Sequence, residues 1–307
     1  MLKPSEVQAQ NQPVELPILQ EKQVSLAIKR EDLIHPLISG NKFRKLKYNL
    51  IEAQNGGFDT ILTYGGAFSN HIAATAYAGQ ESGFKTIGVI RGLDLPDKWH
   101  ENPTLKLAHE HGMQFHFISR EEDRNKENPL EVELLKALFG PFYRIPEGGS
   151  NVLAVRGCEE ILMENDAYFD VICTSVGTGG TIAGISNAAD SKQLVLGFPA
   201  LKGDFLKEDI RKFAYKENWE LRTTYHFGGY AKVTQQLIDF INEFKHETEI
   251  PLDPIYTGKL IFGILDMVKK DRFQPNTKIL AVHTGGLQGI KGMNMKLKKK
   301  NLPLIQI

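Results

Sequence analysis

The chain has 307 residues, with 37 Lys and Arg balancing 37 Asp and Glu, 41% hydrophobic residues and two cysteines. At about 100–200 residues per domain this length predicts two domains, and a zero formal charge argues against a nucleic-acid binder. Two cysteines cannot make a disulfide scaffold, the first residues carry no apolar signal region, and no run approaches the roughly 20 apolar residues of a membrane helix, so a cytoplasmic protein with no membrane partner is expected.

Short apolar runs alternate with helical patterns along the chain. Residues 59–64 read as a strand ending in Gly65-Gly66, and 69–78 as a helix with Ser69 or Asn70 as its cap. A strand over 85–90, a helix over 103–109, a strand over 114–118 and a helix over 129–139 follow. The second half repeats the rhythm. It has a helix over 152–163, a strand over 169–173, a glycine-rich turn and a short helix from Thr181. Next come a strand over 194–198, a helix over 205–214 and an extended segment over 221–227. Val233, Leu237, Phe240, Ile241 and Phe244 share one face of an amphipathic helix. A helix after 256–258 runs to about Lys270, and 278–282 is the last strand. The basic run 291–300 reads as a solvated terminal segment. Strands alternating with helices predict an α/β fold of two halves, roughly 49–148 and the remainder, each an open, mostly parallel twisted sheet flanked by helices.

Ligands of open parallel sheets bind beyond the carboxyl ends of strands. Such ends here carry paired glycines at 65–66, in 177–181 (Gly-Thr-Gly-Gly-Thr) and at 285–286. The turn 177–181 follows a strand and opens a helix, so its N–H groups converge on an anion, with Thr178 and Thr181 as further donors. No lysine follows as in a Walker loop, and the sixth position from Gly177 is Ile182, against a dinucleotide fingerprint. Lys42 stands at the start of a helix with apolar Phe43, Leu46 and Leu50, where the helix dipole and desolvation lower an amine's pKa and favour a Schiff-base nucleophile. Ser69 and Asn70 sit where a loop enters a helix, a place for a cap or for a substrate carboxylate. His109 and His111 do not share a helix face and His116 lies on a strand, so no metal site is expected; Cys158 and Cys173 read as core residues.

Taken together, 29–33 (KREDL), 39–46 (SGNKFRKL), 69–71 (SNH), 145–151 (IPEGGSN), 177–184, 252–259 (LDPIYTGK) and 283–286 (HTGG) resemble the D-cysteine desulfhydrase / 1-aminocyclopropane-1-carboxylate (ACC) deaminase family. These are pyridoxal 5'-phosphate enzymes of fold type II, similar to the tryptophan synthase β-subunit. The resemblance implies a cleft between a larger cofactor-binding domain (1–48 and 149–307) and a smaller substrate-side domain (49–148). It makes Lys42 the cofactor-bonding lysine, with Lys45 its neighbour, and Asn70 a contact to the cofactor's phenolic oxygen. Gly177, Thr178, Gly179, Gly180 and Thr181 become the phosphate cradle. Ser69, Asn70 and His71 would bind substrate, Ser69 also acting catalytically together with Lys42 and the facing tyrosines Tyr256 and Tyr230, and a homodimer is implied. Thr257 and Thr284 stand where ACC deaminases carry Glu and Leu and where desulfhydrases carry hydroxyl residues. A hydroxyl at the pyridine nitrogen is a weaker aid than a carboxylate, so β-elimination from D-cysteine is expected over ACC deamination. Phe43 and Ala67-Phe68 depart from the family pattern, and Phe68 adjoins the substrate side. More distant alternatives are a nicotinamide-dependent dehydrogenase and a non-catalytic phospholigand binder.

Overall fold

The computed structural model describes residues 9–203 and 206–306. One sheet has the order β1-β2-β10-β7-β8-β9, with β1 Asn11–Val14, β2 Ser25–Lys29, β7 Val171–Val176, β8 Leu194–Pro199, β9 Trp219–Leu221 and β10 Lys278–Val282. Only the β1–β2 pair in it is antiparallel among the described strands. The second sheet is parallel throughout, in the order β5-β4-β3-β6, with β3 Thr60–Gly66, β4 Lys85–Arg91, β5 Met113–Ile118 and β6 Tyr143–Ile145. Both sheets are sandwiched by helices, the expected α/β architecture, because strands buried on both faces need apolar helices against each.

Each sheet has a point where strand order reverses. In the larger, the chain runs from β7 out to β8 and β9 and then returns to β10 on the other side of β7. In the smaller it runs from β3 to β4 and β5 and returns to β6 on the other side of β3. Loops leaving neighbouring strands at such a point diverge to opposite faces and open a crevice. The turns at 177–181 and 283–286 flank one crevice, and those at 67–70 and 146–150 flank the other.

Several local expectations change. The helix predicted over 152–163 ends at Glu159, and a 3-10 turn over Glu164–Tyr168 follows, because Asp166 accepts from Met163 N–H (2.8 Å) and pairs with buried Lys29 (2.8 Å). Residues 221–227 are not extended: β9 stops at Leu221, a 3-10 turn spans Thr223–Tyr225, and Phe227 takes φ 51°. Phe205 lies outside the described residues, and the helix there runs Leu206–Arg211. The basic run is not simply solvated. It forms the helix Gly289–Lys299, which buries Ile290, Met293 and Leu297 and leaves Lys291, Lys298 and Lys299 exposed. Strands β1, β2 and β6 are additional to those the sequence pattern predicts. The helix Asn41–Asn55 crosses residue 48 unbroken, and its Phe43, Leu46, Leu50 and Ala53 pack with Ile61, Ala74 and Ile145 beside the smaller sheet.

Candidate active site

The strand-end loops of both sheets surround a cleft of about 640 Å³. It is lined by Lys42, Lys45, Ser69, Asn70, His71, Gly177, Thr178, Gly179, Thr181, Tyr230, Tyr256 and Thr284, which stand far apart in the chain.

Lys42 enters on the first turn of the helix Asn41–Asn55. That helix starts where it does because Gly40, at φ 65°, lies against the 283–286 turn; a Cβ there would come within 2.1 Å of the Thr284 carbonyl oxygen. Lys42 Nζ donates to the Gly148 carbonyl (2.8 Å), and Lys45 Nζ donates to Ser150 Oγ (2.9 Å) and to Gly148 (3.3 Å). Burial pushes the Lys42 amine well below the ordinary lysine range, and the neighbouring Lys45 charge adds to the shift. Burial also lowers Lys45. Two buried amines this close, whose described hydrogen bonds go to carbonyl and hydroxyl oxygens, cannot both carry charge without cost.

The turn 177–181 faces them. Ser150 Oγ and Thr178 Oγ1 share a short hydrogen bond, and Asn41 Nδ2 donates to Thr181 Oγ1 (2.8 Å). Gly180 is not on the open wall but directly behind it. A Cβ there would meet Ser150 Oγ at 2.8 Å and Lys45 Nζ at 3.3 Å, so only glycine lets the turn close over Lys45. An anion held by these N–H groups at the start of helix Gly180–Ala188 would meet Lys45. The surplus positive charge and the donor-lined turn therefore fit a phosphate ester. Lys45, read from sequence only as a neighbour, is its natural counter-charge.

Across the cleft, Ser69 caps the helix Asn70–Ser82, its Oγ accepting from Ile72 N–H (3.4 Å). Asn70 approaches the 283–286 turn closely, its Nδ2 2.7 Å from where a Cβ on Gly286 would lie. His71 is buried. The Thr63 hydroxyl donates to the Ile145 carbonyl (2.9 Å), so it accepts from His71 Nε2–H (2.8 Å) and leaves Nδ1 a bare acceptor. Burial and the two lysines drive the imidazole pKa well below its usual value, so it stays neutral. Ser175 Oγ, on the cleft floor, also lacks a hydrogen-bond partner among the described residues. Orphaned polar atoms of this kind are expected where a polar ligand belongs.

Tyr256 lies at the N-terminus of helix Thr257–Lys269 with the Tyr230 ring 6.3 Å away. Burial, with Tyr230 and Asp253 adding, raises the Tyr256 pKa well above 10, so its hydroxyl remains a donor. Thr257 does not reach the cleft. It is buried, its hydroxyl donating to Asp253 Oδ1 (2.9 Å) and accepting from Asp253 N–H (2.8 Å). Asp253 also accepts from the N–H groups of Ile255 (2.8 Å), Tyr256 (3.0 Å) and Thr257 (2.8 Å), capping that helix. The hydroxyl expected at the cofactor is thus engaged in the helix cap in this structure. Thr284 does line the cleft. Phe68 does too, with Lys296 Nζ 3.8 Å from its ring centroid, so the basic terminal helix contributes to the wall.

Comparison with known proteins places the chain in a family. Residues 6–285 match the family described as pyridoxal-phosphate dependent enzyme. The chain belongs to this family. An Arabidopsis thaliana protein named bifunctional D-cysteine desulfhydrase/1-aminocyclopropane-1-carboxylate deaminase, mitochondrial, is 34% identical over 295 residues, covering 86% of this chain and 73% of that protein. A crystal structure of an ACC deaminase homologue aligns with a TM-score of 0.83 and 27% identity, over 97% of this chain and 95% of the other. A serine racemase from Dictyostelium discoideum, 17% identical over 91% and 92% of the two chains, shares the fold with a TM-score of 0.68. This family member is therefore a pyridoxal-phosphate-dependent enzyme of the lyase/deaminase kind, which sets aside the dehydrogenase and phospholigand-binder alternatives. No group of three His, Cys, Asp or Glu able to hold a metal occurs among the described residues, and no helix among them is long and apolar enough to cross a membrane. His109 packs on Trp99 (4.4 Å), and His111 Nδ1 bonds Gln80 Oε1 (2.7 Å).

Proposed function

We propose that this enzyme eliminates the β-substituent of a D-amino acid, with D-cysteine as the type substrate, releasing pyruvate, ammonia and sulfide. The observation that carries this reading is Lys42, an amine in the cleft wall whose burial shifts it toward the uncharged form relative to a free lysine. That is the state required of a nucleophile toward the cofactor aldehyde and of a base toward a Cα–H bond. Pyridoxal phosphate, when bound, supplies the electron sink that acidifies that bond. Lys45, Thr178, Thr181 and the N–H groups of 177–181 would hold its phosphate, and Asn70 would contact its phenolic oxygen.

Ser69, Asn70 and the free N–H groups at the start of helix Asn70–Ser82 suit the substrate carboxylate. His71 Nδ1, a neutral acceptor beside the lysines, suits the incoming ammonium group. Lys42 Nζ takes the α-proton, and the Tyr256 hydroxyl, kept protonated and paired with Tyr230, donates to the leaving sulfur. One water is consumed overall, and pyruvate, ammonia and hydrogen sulfide leave.

ACC deamination is the second reading, favoured by the names of the Arabidopsis relative and the crystallised homologue. ACC has no Cα–H, and opening its ring asks for a stronger sink, which a carboxylate at the pyridine nitrogen would provide. The acidic residue among the described cleft-lining side chains, Glu147, is ion-paired to Lys126 and so is not free for that role. The deciding experiment offers D-cysteine, L-cysteine and ACC separately to the holoenzyme. Sulfide and pyruvate from D-cysteine are expected; 2-oxobutanoate from ACC at an equal or greater rate would reverse the order.

A further inference from the structure

Lys259 stands three residues beyond Tyr256, on the same side of helix Thr257–Lys269, with its side chain 1% exposed. Its Nζ donates to the carbonyls of His226 (2.9 Å) and Gly229 (2.8 Å). Those carbonyls belong to a tightly coiled segment in which Phe227, Gly228, Gly229 and Ala231 take φ of 51°, 92°, 115° and 55°. Left-handed backbone at Phe227 and Ala231 persists only where surrounding contacts impose it. Within the segment, Lys232 N–H also donates to the Gly229 carbonyl (3.2 Å). Gly228 N–H donates to His226 Nδ1 (2.9 Å), and Gly229 N–H donates to the His226 carbonyl (3.0 Å). The Phe227 ring sits edge-on to Phe262 at 4.9 Å, anchoring the near end. The far end, which carries Tyr230, is 45% exposed at that residue, and Lys259 holds it from beneath.

We infer that Lys259 is a positioning residue for Tyr230: by holding two carbonyls of 226–231 it keeps the second tyrosine against Tyr256 at the edge of the cleft. The inference rests on the proposed role of the two tyrosines. One helix face then sets both rings, Tyr256 through the chain and Tyr230 through a buried ammonium. Burial drives that ammonium down to about 8, with the Asp253 charge opposing the shift, so a cation is kept at a cost where its donors have a use.

The test compares Lys259→Met, Tyr230→Phe and the double variant as holoenzymes. Lys259→Met is expected to retain the visible cofactor band and to lower kcat/KM for D-cysteine about tenfold, with the same division between kcat and KM as Tyr230→Phe. The double variant should be no worse than the poorer single, because both changes act through one ring. Losses that multiply, or a lost cofactor band, would overturn the inference. If Lys259→Met does not fold, Lys259→Gln is read by hydrogen exchange. Faster exchange confined to 226–232, with 257–269 unchanged, supports the clamp, and unchanged exchange in 226–232 refutes it. Wild-type enzyme inert toward D-cysteine would sink the proposed reaction, while the exchange measurement would still decide the clamp.

Discussion

Replacing Lys45 with methionine should make the cofactor-free protein more stable and the cofactor weaker-bound. Without an anion in the cleft, Lys45 is a desolvated cation whose described hydrogen bonds are to Ser150 Oγ and the Gly148 carbonyl, and Lys42 donates to that same carbonyl. Methionine fills a similar volume without charge, and exchanging a poorly compensated buried ion for an apolar side chain is expected to gain about 1–2 kcal/mol, or about 2–4 °C in Tm. With cofactor bound the sign reverses. Loss of one charge-assisted hydrogen bond to phosphate removes about 1.5–3 kcal/mol, so Kd should rise about 10- to 150-fold. A pH dependence follows with a definite sign. The folded-state pKa values of Lys42 and Lys45 lie below 10.5 while the unfolded chain keeps both lysines protonated, so the unfolded state binds more protons between those values and 10.5. Stability of the cofactor-free wild type should therefore rise with pH through that window, and Lys45→Met should flatten the rise. Calorimetry of cofactor-depleted protein at several pH values gives the first quantity, and titration of the visible band gives the second. A variant less stable without cofactor, yet unchanged in Kd, would refute the assignment of Lys45 as counter-charge to the phosphate.

Other outcomes are equally specific. Lys42→Ala should lose the borohydride-sensitive visible band and about 10²–10⁴-fold in kcat, whereas Lys45→Met keeps the band when saturated; a surviving band in Lys42→Ala would shift the bonding role to Lys45. Thr257→Val removes a hydrogen bond to Asp253 and should cost about 1 kcal/mol in denaturant unfolding. Its absorption spectrum and kcat should stay within about twofold of wild type if the hydroxyl serves only the cap; a spectral shift would restore Thr257 to the cofactor. Lys29→Met leaves Asp166 buried without its ion-pair partner and should cost about 3–5 kcal/mol by denaturant unfolding, while a loss under 1 kcal/mol would show that Asn11, which also donates to Asp166, suffices.

How legible these features were depended on the range of the interactions behind them. The helix at 129–139 and the strand at 278–282 were placed to the residue, because capping by Asn128 and an unbroken apolar run are local signals. The segment 25–29 carries only a weak strand signal in sequence because Lys29 and the charges after it interrupt the apolar run. They are buried, Lys29 by Asp166, Glu31 by Arg44 and Asp32 by Arg30 and His283, some of these partners lying more than a hundred residues away. The cap contact of Thr257 was hidden for a similar reason: its partner Asp253 is near in sequence, but the two meet only through the turn at the buried helix start.

Residue order alone carried the alternation of strands and helices, the glycines at strand ends and the lysine at a helix mouth, because those are periodicities and local backbone demands. Folding decided which strand ends meet, that Lys42 and Lys45 both face the 177–181 turn, that His71 presents a bare Nδ1, and that the Thr257 hydroxyl meets Asp253. Those outcomes depend on burial and on partners drawn together by the crossover connections of two sheets, and the desolvation that gives each group its chemistry exists only in the packed protein.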